Sequence, residues 1–182
     1  MKKTILILSA LFANLAFTQH QHGIGELNVA LENQTLAIEL HIPAGDVLGF
    51  EHKPETKKEI KTFQEINSYF ENTSNWLDLP KDASCTISEQ HIHFEIENGE
   101  EVNLEKKHDH SGHHHHHEEK KKSEHMELKA LLSLECKKID QLKALDLNLF
   151  KKFKHLKINY TAIGSKQSTG TLSVEKSSLG PF

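Results

Sequence analysis

The feature that most constrains this chain is a hydrophobic alternation that switches period. Leu27, Val29 and Leu31 alternate with Asn28 and Ala30. After Glu32-Asn33-Gln34 the pattern resumes through Leu36, Ile38, Leu40 and Ile42. Period two sends every second side chain to one face, so the two runs predict a hairpin with one buried face. Pro43 to Gly49 breaks that pattern. Beyond it Ile60, Phe63, Ile66, Tyr69 and Phe70 recur at helical spacing, which predicts a helix over 54–70. Pro54 suits a first helical position and Glu55 the first turn.

Asn72 to Pro80 reads as a loop around Trp76. Cys85 to Ser88 and Gln90 to Glu97 read as a second hairpin, with Ile92, Phe94 and Ile96 on one face and His91, His93 and Glu95 on the other. Met126 to Cys136 alternates as a strand, although its Leu and Ala content also suits a helix. A helical or turn segment within 139–153, a strand from Leu156 to Ala162, a turn at Gly164 to Ser168 and a strand from Gly170 to Glu175 complete the reading. The expected fold is α+β: a single, antiparallel, strand-rich domain with one clear helix.

One stretch does not fit any buried element. From Asn98 to His125 the chain is nearly all Glu, Lys, His, Asp, Ser and Gly, and 103–125 forms a low-complexity, His-rich insertion. So little apolar surface cannot offset chain entropy, and a disordered loop is expected there.

Residues 1–18 have a different character. Lys2 and Lys3 precede an apolar run from Ile5 to Phe17, and Ala16 and Thr18 are small residues suited to a cleavage site. That pattern predicts a signal peptide, with a mature domain over 19–182 and a periplasmic or secreted location. The run is too short for a membrane anchor, and no later stretch suits insertion after cleavage. All 22 basic residues other than histidine are lysine. Arginine is the usual reader of phosphates and base edges, so the composition argues against nucleic-acid partners.

The chain has two cysteines, Cys85 and Cys136. In an exported protein an even pair reads as a disulfide. Two free thiols or two zinc ligands are the alternatives.

The fifteen histidines carry most of the chemical information. His108, His110, His113, His114, His115, His116, His117 and His125 crowd the insertion together with Asp109, Glu118, Glu119 and Glu124. Neutral imidazole suits zinc, copper and nickel, and carboxylates also ligate zinc. An expression tag would sit at a terminus, whereas this run is internal. The expected sites there are weaker than preformed ones, because binding must order the chain. Outside the insertion His20 and His22 flank Gln21, Glu51 precedes His52, and His91 and His93 share a strand face. Exposed histidines are ordinarily decoration, but three such groups in one chain predict a folded metal site. His41 and His155 read as solitary structural residues on strand faces. No His-Glu-x-x-His, Gly-x-Ser-x-Gly, phosphate-binding glycine loop or Cys-x-x-Cys occurs, so a metalloenzyme is the least supported reading.

His20-Gln21-His22-Gly23, Leu27 to Leu31, Pro43-Ala44 leading to Gly49-Phe50-Glu51-His52, Trp76 before the cysteines, and the stretch from Leu149-Phe150 to Leu156 form a recognisable set. Together they resemble the ZrgA-like family of zinc-regulated periplasmic zinc-binding proteins. The resemblance implies a periplasmic location, zinc as the bound ion, and a role in zinc acquisition with an ABC transporter or its binding protein as partner. It also implies His20, His22, Glu51 and His52 as ligands, with the insertion as accessory sites. A metal buffer, or a copper or nickel detoxification protein, could use the same ligands.

Overall fold

Among the described residues, nine strands and two α-helices follow in chain order: β1 (Ile24–Glu32), β2 (Thr35–Pro43), α1 (Ala44–Leu48), α2 (Lys57–Glu71), β3 (Leu77–Asp78), β4 (Cys85–Ile96), β5 (Met126–Cys136), β6 (Leu145–Leu147), β7 (Lys157–Ile163), β8 (Gln167–Leu172) and β9 (Ser178–Leu179). This computed structural model describes residues 21–96, 98–104 and 125–181. The proposed signal segment, His20 and the insertion histidines other than His125 lie outside the described residues. Among those described, no helix is long and apolar enough to cross a membrane.

The first hairpin forms as its alternation predicts. Leu27, Val29, Leu36, Ile38, Leu40 and Ile42 are all buried, and Asn33 takes a left-handed turn conformation that asparagine tolerates. A large sheet grows from this hairpin in the order β4-β5-β2-β1-β7-β8, and a small second sheet has the order β3-β6-β9.

Four expectations need correction. The large sheet is mixed rather than antiparallel, because β1 pairs with β7 in parallel. Alternation identifies a half-buried strand but not its direction, and no tight turn joins these two. The supposed second hairpin is one long strand, β4, which pairs throughout with β5 across the insertion. The apparent break at Ser88-Glu89 is a β-bulge, where the register shifts between Ile87 and Glu89. The helix begins at Lys57 rather than Pro54: the Thr56 side chain accepts from the Glu59 N–H and the Glu59 carboxylate accepts from the Thr56 N–H, a capping box that outcompetes the proline signal. The stretch from Asn72 to Pro80, read as a loop, contains the short strand β3, and Trp76 just before it is fully buried, with Nε1 donating to the Phe70 carbonyl at 2.8 Å.

The helix α2 buries Phe63, Ile66 and Phe70. Phe63 meets Phe94 of β4 at 4.8 Å between ring centroids, and Phe70 stacks on Phe153 at 6.0 Å. Core and helix therefore occupy one face of the large sheet. Polar side chains of β4, β5 and β2, namely His91, His93, Glu95, Lys129 and His41, stand on the other face. Cys85 and Cys136 are bonded directly across β4 and β5, with Cα atoms 3.9 Å apart.

Candidate metal centre

Strand alternation places His91 and His93 on the same open face of β4, at the sheet edge. Their rings lie 4.4 Å apart between centroids. Past Ile96 the chain reverses at Asn98-Gly99, with the Gly99 N–H donating to the Ile96 carbonyl at 2.8 Å and Val102 N–H to the Phe94 carbonyl at 2.7 Å. This turn lays Glu101 beside Glu95 and brings its carboxylate within 3.0 Å of His91 Nε2. One potential ligand atom from each of His91, His93 and Glu101 then lies within 4.8 Å of the other two, the one such group among the described residues.

Two observations fit this group to a metal ion. A tetrahedral zinc shell with nitrogen donors at 2.0–2.1 Å spaces its donors roughly 3.3 Å apart, so small rotamer changes would close the set around an ion. In addition, His93 Nδ1 is buried without a hydrogen-bond partner. Buried polar atoms are nearly always satisfied, and an orphan nitrogen on a member of this group is the kind of exception that a bound ion explains. The His91–Glu101 contact itself is more than half exposed and adds little to metal-free stability.

His93 is also held from behind. Its Nε2 lies 3.4 Å from Glu95 Oε2, and Glu95 in turn pairs with Lys129. Burial raises the Glu95 carboxyl, yet hydrogen bonds from Lys129 and His93 outweigh it and hold the group below its usual range. Lys129 lies 4.0 Å from Glu127, which reaches His41 Nδ1 at 3.2 Å, and His41 Nε2 meets Glu39 at 2.7 Å. His41 is therefore no solitary residue but one end of a row of ion pairs.

A second group forms at the start of β5. Glu51 places one oxygen 2.8 Å from His125 Nδ1 and the other 3.4 Å from His22 Nδ1. Gly45 makes this possible: a Cβ there would come within 3.0 Å of Glu51 Cγ and Oε1. His52 stands apart from both groups, with Nδ1 2.9 Å from the Lys53 carbonyl and Nε2 3.8 Å from Glu59. His155 precedes β7 rather than lying on it, and sits exposed 3.8 Å from Asp46. Among the described ligand candidates, the structure thus gathers His91 with His93, and both His22 and His125 with Glu51.

Sequence reasoning missed Glu101 and the folded position of His125, because both lie in the low-complexity stretch. Asn98-Gly99 was the available signal for Glu101, since that dipeptide favours a tight reversal. No comparable signal marked His125.

Two imidazoles and a carboxylate on a sheet edge form a donor set suited to a borderline divalent metal. The sequence carries the same message at the level of family: the model of the ZrgA family zinc uptake protein matches residues 19–180, and the chain belongs to that family. The family is described by zinc uptake and not by an enzymatic reaction. No curated protein matches the chain.

Proposed function

We propose that the protein is an extracytoplasmic zinc binder that gathers zinc for uptake and passes it to an ABC-type transporter or its binding protein. The observation that carries this reading is the convergence of His91, His93 and Glu101, with a buried, unsatisfied nitrogen on His93. The family supplies the direction, from binding toward acquisition. The apolar run after Lys2 and Lys3 supports export, and the Cys85–Cys136 bond suits an oxidising compartment. The eight histidines from 108 to 125 would raise the local zinc concentration beside the folded site, from which the ion is handed on. The donors carry the ion rather than activate a reaction.

Zinc uptake by zinc-starved cells tests this. Cells expressing the His91→Ala/His93→Ala protein should accumulate labelled zinc more slowly than cells with the unaltered protein. Equal uptake, combined with poorer survival in zinc excess, would show a buffer instead.

A further inference from the structure

The open face of the large sheet is not flat. Ala30, Ala37 and Ser133 stand side by side across β1, β2 and β5. Their small side chains leave a depression of about 620 Å³. Leu131 and Ile163, both exposed, form apolar walls. One rim is His91, which stands directly opposite Leu131 and is also a member of the metal donor group. Glu39, Glu89, Asn28, Gln90 and Thr161 also line it, and neither lysine nor arginine does.

This volume falls within the range that holds small organic ligands. The lining joins apolar side chains to neutral polar ones and two carboxylates, Glu39, which also meets His41, and Glu89; with no lysine or arginine present, it suits a cationic guest with an apolar body. The metal group offers three protein donors, whereas zinc accepts four and expands to five. An ion held by His91, His93 and Glu101 therefore keeps open positions, and the depression begins at one of its ligands.

We infer that the depression holds the organic body of a small, neutral, zinc-chelating molecule, whose donors complete the coordination of a zinc ion bound by His91, His93 and Glu101. The protein would then capture zinc as a mixed complex as well as a free ion. A zinc complex of a neutral bidentate chelator is doubly positive and largely apolar, which suits a lining of apolar residues with carboxylates and no lysine or arginine. Three protein donors and two chelator donors give five-coordinate zinc. The inference rests on the metal reading above.

The test uses the full-length mature protein and two probes: zinc chloride, and a one-to-one mixture of zinc and 1,10-phenanthroline. Each is titrated into the unaltered protein, into Ala37→Phe and into His91→Ala. Ala37 is exposed, so a phenylalanine there fills the depression without entering the core. Ala30→Phe, also at an exposed position, serves as a second filling variant. The insertion is the same in every variant, so any binding by its histidines cancels in the comparison. The expected result is that filling the depression weakens the tightest phase for the zinc–phenanthroline mixture by about tenfold or more, while the tightest phase for zinc alone changes less than about twofold. If that mixed-complex phase is indifferent to Ala37→Phe and Ala30→Phe, or if phenanthroline merely strips zinc from the protein, the inference is wrong. If the tightest phase for zinc alone is indifferent to His91→Ala, the metal reading itself has failed.

Discussion

Ile96 and Met126 stand opposite each other at one end of the β4–β5 ladder, while Cys85 and Cys136 are bonded across the other. The His-rich insertion therefore leaves and re-enters the fold between two adjacent strands. Folded histidine groups lie near both points: His91, His93 and Glu101 on the outgoing side, and His125 with Glu51 and His22 on the return.

The disulfide closes a loop with a sequence separation of 51 residues. In the chain-entropy model a loop of that size stabilises the fold by about 4 kcal/mol. Urea unfolding with and without reductant should show a loss of that order. Non-reduced, denatured protein should show no reactive thiol. Two labelled thiols would contradict the pairing.

Trp76 is the largest fully buried side chain, and its ring lies against Phe70 at 6.1 Å between centroids. Trp76→Ala leaves a cavity and an unpaired Phe70 carbonyl. A loss of roughly 3–5 kcal/mol is expected by chemical denaturation. A loss below about 1 kcal/mol would place the residue outside the core.

His41 carries a pH signature. The hydrogen bond to Glu127 raises its pKa above the usual 6.5, against desolvation, with Glu39 adding to the rise. A folded pKa above the unfolded one means a stabilisation fully present below 6.5 and lost as pH rises through the folded value. His41→Asn should therefore cost more stability at pH 5.5 than at pH 8.5. Lys129, the neighbour of Glu127, opposes a protonated His41 and limits the effect. An equal loss at both pH values would show that the ion pairs do not matter.

Gly45 offers a conservative probe of the second histidine group. Gly45→Ala would push a methyl group to 3.0 Å from Glu51 Oε1. The carboxylate must move from His22 and His125. A zinc phase that depends on these residues should weaken with this change, as measured by competition with a chromophoric chelator. The tightest phase, assigned to His91 and His93, should stay within about twofold, since Gly45 touches neither.

Alternation made β1, β2, β5 and the polar face of β4 legible in the sequence, because each buries one side. The small second sheet was not legible: β3, β6 and β9 are two or three residues long, too short for a period to appear. The parallel pairing of β1 with β7 was hidden for a related reason, since direction leaves no mark on a strand's own residues. At the site, the shared face of His91 and His93 followed from spacing alone. Their partner Glu101 did not, because its place depends on the reversal at Asn98-Gly99 in a stretch whose composition resembles a solvated linker.

Zinc calorimetry on the mature protein and on the His91→Ala/His93→Ala/Glu101→Gln variant tests the central claim most directly. The account predicts that the tightest zinc phase is lost in the variant, while the weaker phases attributed to the insertion remain. Imidazole must be neutral to ligate, so that phase should also weaken as pH falls. If the tightest phase is the same in both proteins, the folded site is not where zinc is held, and the account is wrong.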